Sequence, residues 1–177
     1  MNKPEDVNTM RSADQQLQPV TLEYARFTEQ LTFAHLPDDV ALTCQEQAVA
    51  TIGSCLAGTL MPGARSIERA LGIFGDGQAA TLFGRKEKMP APGAALFNAA
   101  TGQIIEWDDW VLISHVGACV IPVAFAVGEL AKSSGKDVLT AIAIGNEIAG
   151  RTSRAIQRGG YLGNGMPNHQ VEAPLVA

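Results

Sequence analysis

Aromatic side chains make up only 6% of this sequence of 177 residues, which disfavours a sandwich of aromatic-rich strands. The 18 glycines point the other way, because small residues allow helices to pack closely. Cationic side chains are also few. Thirteen Lys and Arg against eighteen Asp and Glu give a formal charge of −5, and no basic face for binding nucleic acid is evident.

The cysteines lack the CxxC spacing of metal and redox sites. Cys44, Cys55 and Cys119 are better explained as buried thiols in a reducing cytoplasm. Long apolar runs are missing too, since the longest, residues 117–127, is too short to cross a bilayer. The N-terminus is polar and lacks the basic-then-apolar order of a secretion signal. We therefore expect a cytoplasmic protein that binds neither nucleic acid nor a membrane.

Apolar residues recur at steps of three and four in several segments, which is typical of helices. Helices are predicted to begin near Thr21, Asp38, Ala64, Pro90, Val116 and Asp137. A flexible tail is expected for residues 1–19, a short strand-like segment for 80–83, and a helical domain for 20–177. The expected fold class is all-α, a helical bundle whose core contains Cys44, Ile52, Leu56, Val120, Val127, Leu139, Ile142 and Ile148.

The C-terminal residues 171–177 have the pattern of a helix that is beginning, since Pro174 is allowed in a first turn. No Gly, Lys or Pro closes this helix, and a helix that short is not stable alone. One interpretation is a frayed tail. The other is that a second polypeptide continues the fold.

Three carboxylates and a histidine are the best candidates for chemistry. Glu106, Asp108 and Asp109 crowd the predicted C-terminal end of a helix, where negative charge is disfavoured. Such crowding favours the protonated form of one carboxyl group, which is how a carboxyl becomes a usable acid or base near neutrality. His115 precedes the next helix, whose N-terminus favours neutral imidazole and offers N–H groups to an anion.

This set would suit proton abstraction beside a carboxylate group. The alternative is a solvated acidic helix end with a structural histidine. Asp108, Asp109 and His115 could also ligate a metal, but no further His or Cys completes a set, so we expect none.

Four segments in order resemble the MmgE/PrpD family. Residues 98–109 resemble the family segment that ends in an acid-rich D-x-D-D motif, and 114–122 resemble its H-P-S-x-x-V-x-P segment. Residues 135–151 resemble the next family helix, and 80–84 the short piece before the basic loop. The resemblance covers about residues 24–177.

The family includes 2-methylcitrate dehydratase and cis-aconitate decarboxylase, enzymes that act on small polycarboxylates without a cofactor. Its fold is a large helical domain with a smaller α+β lid domain, and dimers are common. The resemblance implies that this chain is the N-terminal part of the helical domain, with the lid domain absent. A second polypeptide would supply the remaining helical part and the lid, giving a hetero-oligomer such as a dimer of heterodimers.

By position, the family's catalytic histidine falls on His115 and its catalytic aspartate on Glu106, while Asp108 and Asp109 match the next two acids. The resemblance thus implies four catalytic residues: His115, Glu106, Asp109 and Asp108. Substrate contacts are expected from Trp110, Val116, Gly117 and His169.

The sequence departs from the family pattern close to these positions. Trp110 replaces the usual Thr, Val116 and Gly117 replace Pro-Ser, and the loop before His115 is one residue shorter. His169 lies two residues beyond the place of a second family histidine. The implied function is a subunit of a cofactor-independent lyase or isomerase, of the dehydratase or decarboxylase type, that acts on a small carboxylic acid by proton abstraction. The alternative is a catalytically silent structural or regulatory subunit.

Overall fold

The computed structural model describes residues 20–112 and 114–158. Its elements are α1 (Val20–Gln30), α2 (Asp38–Gly58), α3 (Ala64–Ala70), β1 (Ala80–Thr81), β2 (Lys88–Met89), α4 (Ala91–Gln103), α5 (Gly117–Ala131) and α6 (Gly135–Arg158). The predicted tail, His169 and the predicted C-terminal helix lie outside the described residues. The prediction of one helical domain over residues 20–177 therefore stays a prediction.

The described residues form two compact units, and the first contains helix α1 and ends at Leu31. No residue of α1 is buried, and even the apolar side chains of Val20 and Leu22 are 51% and 44% exposed. Inside this unit the Thr28 hydroxyl donates to the Tyr24 carbonyl at 2.9 Å.

The second unit begins at Thr32 and is helical apart from the two-stranded ribbon β1–β2. The prediction of an all-α fold is confirmed, with helix starts within a few residues of those expected. Helix α5 ends at Ala131, and the following residue, Lys132, has a left-handed φ of 55°. Helix α6 is capped reciprocally, because the Ser134 backbone N–H and hydroxyl donate to Asp137, whose own N–H donates back to the Ser134 hydroxyl. These bonds hold the pKa of Asp137 below its usual value.

Small residues let the helices of the second unit approach closely. A Cβ at Gly58 of α2 would collide with the Thr101 carbonyl oxygen of α4, and a Cβ at Gly145 of α6 would lie 2.7 Å from Val120 of α5. In the same region the buried Cys55 thiol donates to the Asn98 carbonyl at 3.1 Å. Helices α2 and α4 therefore meet backbone to backbone at Gly58, a close approach of the kind that the glycine content suggested.

Two apolar clusters form the core of this unit. One joins α2, α5 and α6 around Cys44, Val120, Ile121 and Ile142, and the other surrounds Phe97 of α4. Burial is confirmed for Cys44, Val120 and Ile142, while Ile52, Leu139 and Ile148 are half-buried. The core prediction is wrong for Leu56 and Val127, which are 45% and 51% exposed. Helical spacing identifies an apolar face, but it does not say whether another element covers that face.

The β1–β2 ribbon is held against the helices by polar groups. Asn98 of α4, which is 1% exposed, accepts from the Phe83 backbone N–H at 2.8 Å and donates to the Thr81 carbonyl at 3.0 Å. Glu129 of α5 accepts from Thr81 and from Lys88 at 2.9 Å. Burial raises the pKa of Glu129, but these hydrogen bonds outweigh it and bring the pKa below its usual value. Lys88 itself lies in strand β2.

Among the described residues, no helix combines the length and the apolar character needed to cross a membrane.

We predict that Gly58→Ala destabilises the second unit, because the new Cβ would meet the Thr101 backbone and the Ile104 side chain at 2.9 Å. Backbone atoms inside a packed helix cannot move aside cheaply. The expected loss is about 1–3 kcal/mol in the free energy of unfolding, measured by urea denaturation.

The matched control is Gly53→Ala in the same helix, where a Cβ meets nothing within 4 Å. This change should raise the free energy of unfolding by about 0.5–1 kcal/mol, because alanine favours the helix. Equal effects of the two substitutions would contradict the close approach of α2 and α4.

Candidate active site

The candidate catalytic residues lie on the irregular segment between α4 and α5. Helix α4 ends at Gln103, and Glu106 then takes a left-handed φ of 53°. Leu112 has a φ of 60°, and Val111 and Ser114 exchange two backbone hydrogen bonds of 2.9 and 3.1 Å. The chain therefore folds back on itself before α5 begins, which brings the end of the acidic motif near His115.

Asp108 and His115 form the central pair. The His115 Nδ1 atom lies 3.0 Å from both carboxylate oxygens of Asp108. The His115 side chain is 14% exposed and the Asp108 side chain 1%, so the pair is largely withdrawn from water. Because an ionised carboxylate can only accept, this contact favours the imidazole tautomer that carries its proton on Nδ1. In that tautomer Nε2 has a lone pair, and it can take a proton.

Trp110 lies beside this pair. Its ring centroid is 4.3 Å from that of His115, with the two planes tilted by 50°. Trp110 is itself 64% exposed, so one side of the indole faces solvent while the other faces the imidazole. The indole of Trp110 can therefore limit access of water to His115.

Trp107 is 78% exposed, and its backbone carbonyl accepts a hydrogen bond from the Ser54 hydroxyl of α2.

Asp109 turns its carboxylate towards the helices instead. Its Oδ2 accepts from the Gln47 amide nitrogen at 2.6 Å. Its Oδ1 is buried, and none of the residues that the structure describes hydrogen-bonds to it. This oxygen lies so close to Gly117 that a Cβ there would collide with it. The same Cβ would be 2.8 Å from the Thr51 hydroxyl. Only glycine at position 117 leaves room for Asp109 in this position.

Gln47 of α2 and Asn146 of α6 lie at the candidate site, and the sequence did not reveal them. The two amides are paired, with Asn146 Nδ2 donating to Gln47 Oε1 at 2.7 Å and Gln47 Nε2 lying 3.2 Å from Asn146 Oδ1. With Asp109 and Trp110 they line a cleft of about 660 Å³. In the sequence each of them is a polar residue on a helix with an apolar face, and this alone does not indicate which residue it contacts.

The structure brings only some of the predicted site residues together. Asp108, His115 and Trp110 are in contact, and Asp109 meets Gly117. Glu106 is exposed, and no hydrogen bond of the described residues joins its carboxylate to another candidate. Val116 is 2% exposed and packs in the core, so any substrate contact there would involve its backbone.

Cys119 lies in the first turn of α5, four residues after His115, and the nearby acids affect the pKa of its thiol. Burial raises the pKa of Cys119, and the nearby Asp108 and Asp109 carboxylates raise it further. Burial also raises the pKa of Cys44, and that of Cys55 to about 12. Cys119 is half-buried while the other two are buried. It is therefore the thiol best placed to report on charge at the candidate site.

Within residues 20–112 and 114–158, no three His, Cys, Asp or Glu side chains converge so that they could hold a metal ion. A larger hollow of about 1080 Å³ lies between α2, α5 and α6 and is lined largely by apolar residues such as Val49, Ile52 and Phe125. It contains none of the candidate catalytic residues.

Comparison with known proteins gives the family. The sequence profile of the MmgE/PrpD N-terminal domain matches residues 23–170. The chain belongs to the MmgE/PrpD family. The resemblance noted in the sequence is thereby confirmed, and the helical fold agrees with an MmgE/PrpD N-terminal domain.

Three curated relatives are named cis-aconitate decarboxylase. The mouse protein is 27% identical over 141 residues, which is 76% of this chain and 29% of the relative. The protein of Aspergillus terreus is 28% identical over 165 residues, or 89% of this chain and 34% of the relative. The human protein is 27% identical over 141 residues. The chain thus spans about a third of the length of the relatives that it matches.

We predict that Asp108→Asn accelerates alkylation of Cys119 by iodoacetamide at pH 8. The thiolate is the reactive form, and removal of a nearby negative charge lowers the pKa of the thiol. The expected gain is roughly two- to tenfold, measured by mass spectrometry of the labelled peptide.

Cys44 and Cys55 serve as internal controls, because their burial should keep their labelling slow in both proteins. An unchanged rate at Cys119 would contradict the placement of the Asp108 charge.

Proposed function

We propose that this chain carries the acid–base part of a cofactor-independent lyase or isomerase that acts on a small carboxylic acid. The observation that carries the proposal is the contact between Asp108 and His115, 3.0 Å from Nδ1 to each carboxylate oxygen. The shared name of the relatives supports a substrate of the cis-aconitate type, a small unsaturated tricarboxylic acid.

In this proposal His115 moves a proton at the carbon next to a substrate carboxylate. Asp108 holds the Nδ1–H, so that Nε2 is the proton acceptor, and the buried carboxylate stabilises the imidazolium that forms. In a dehydration, Nε2 removes the C–H proton, the electron pair forms the double bond, and the hydroxyl leaves as water after protonation. In a decarboxylation, Nε2 first takes a proton from solvent. The C–CO₂⁻ bond then breaks to release CO₂, the electron pair remains on carbon, and the imidazolium donates its Nε2 proton to that carbon.

The environment of the pair supports this role in two further ways. Trp110 limits solvent access to the imidazole, which favours proton transfer to substrate over exchange with water. His115 also lies just before helix α5, whose first N–H groups can receive a substrate carboxylate. Asp109 lies against Gly117 at this helix start, so a substrate anion would have to bind beside that carboxylate.

We also propose that residues outside this chain complete the catalytic unit. The chain spans about a third of the length of its relatives, and several apolar side chains of the second unit are exposed: Val49, Leu60, Leu96 and Leu130 are 73%, 81%, 49% and 59% exposed. These exposures support contact with a second polypeptide, which would supply the remaining helical part and the lid in a hetero-oligomer. The free thiols support a reducing, cytoplasmic location for the assembly.

The rival function is a catalytically silent subunit. The exposed position of Glu106 favours this rival, because the residue at the place of the family's catalytic aspartate faces solvent. The two functions differ in one measurable respect, which is whether turnover needs the His115 imidazole.

The deciding experiment replaces His115 by Gln in the assembled protein, purified from its native host through a tag on this chain. Turnover of cis-aconitate and of 2-methylcitrate is followed by NMR. Loss of the base should lower kcat by roughly 10²- to 10⁴-fold.

The matched control is His35→Gln, which replaces an exposed histidine on the short turn Phe33–His35. It should leave turnover unchanged. A folded His115→Gln protein with the turnover of the wild type would exclude a catalytic role for this chain and favour the silent subunit.

A further inference from the structure

The amide pair of Gln47 and Asn146 has no role in the proton transfer described above, yet it contacts the candidate site. Gln47 lies on α2 and Asn146 on α6, 99 residues apart in sequence. Both are half-buried in the cleft of about 660 Å³ beside Trp110. Partial burial removes water from an amide and costs free energy unless other hydrogen bonds replace those to water, so the pairing of these two amides calls for an explanation.

The direction of each hydrogen bond follows from Asp109. An ionised carboxylate only accepts, so the NH₂ group of Gln47 must face Asp109 Oδ2, at 2.6 Å. The carbonyl of Gln47 then faces the other way and needs a donor. Asn146 Nδ2 provides it at 2.7 Å. A turned-over Gln47 amide would place its oxygen against Asp109 Oδ2 and its NH₂ group against the NH₂ group of Asn146, so Asp109 and Asn146 together fix its orientation.

The position of Asp109 in turn limits the positions of Asp108 and His115. It directly follows Asp108, and its carboxylate lies against Gly117, two residues after His115. Both ends of the segment that holds Asp108 and His115 therefore meet at one carboxylate. That carboxylate is in turn held by one amide group of α2.

We propose that Gln47 and Asn146 are a positioning pair, which fixes Asp109 and through it the geometry of Asp108 and His115. The proposal rests on the proposed function, in which Asp108 and His115 move the proton. Neither amide touches the reacting atoms in this account, so both are positioning residues.

Gln47→Met keeps the length of the side chain and removes its hydrogen bonds. In the assembled protein, kcat for cis-aconitate should fall roughly 10- to 100-fold, because small misplacements of catalytic groups cost about that much. The KM should change little, since no substrate contact is removed. Asn146→Leu should act in the same direction. The matched control is Gln45→Met, two residues away on α2 and exposed, which should behave as the wild type.

Gln47→Glu distinguishes positioning from a merely structural role. At high pH the new carboxylate repels Asp109, whereas at low pH the two carboxyl groups share a proton and restore a hydrogen bond. Turnover relative to wild type should therefore rise as the pH falls. The relative turnover of Gln47→Met should stay low at every pH.

A second measurement needs no turnover. Amide hydrogen exchange over residues 104–116 should be faster in Gln47→Met than in Gln45→Met. If exchange in this segment and kcat are the same in both variants, or if the relative turnover of Gln47→Glu does not depend on pH, the positioning role is wrong. Faster exchange combined with full turnover of His115→Gln would support the anchoring by Gln47 and remove the proposed function instead.

Discussion

The arrangement of the candidate site depends on the carboxylate of Asp109. The segment between α4 and α5 has little regular structure of its own, so its position is set by side chains that reach the helices. Asp109 contacts α2 through Gln47 at 2.6 Å and the start of α5 at Gly117. With Asp109 in place, the preceding Asp108 and the following His115 have little freedom to separate. The absence of a side chain at Gly117 is the condition that allows this packing.

The burial of Asp108 adds an electrostatic constraint. Its side chain is 1% exposed, and a buried carboxylate is costly unless it is paired and hydrogen-bonded. His115 provides both when its Nδ1 carries the proton. The same contact that stabilises the charge therefore selects the tautomer in which Nε2 carries a lone pair and can act as a base. Structure and proposed chemistry rest on one interaction, and Trp110 limits its exposure to water.

Helix positions could be predicted from the sequence because they depend on local spacing. The acids and His115 could be assigned to one candidate site because they are close in sequence. Which acid meets the histidine could not be predicted. Left-handed residues at Glu106 and Leu112 reverse the chain, so that Asp108 reaches His115 and Glu106 faces solvent. Gln47 was missed because it lies 62 residues from Asp109, and a single amide on a helix gives no pattern. Leu56 shows the same limit for the core, since long-range packing decides burial.

The most direct test of the Asp108–His115 interaction is the tautomer of His115, measured by ¹⁵N NMR on histidine-labelled protein. The chain has three histidines, and the spectrum of His115→Gln assigns the signals of His115. At a pH where the ring is neutral, the Nδ1-protonated tautomer should dominate in the wild type, and Asp108→Asn should shift the population towards the Nε2-protonated form. A wild-type ring protonated on Nε2, or a tautomer that does not respond to Asp108→Asn, would contradict the account.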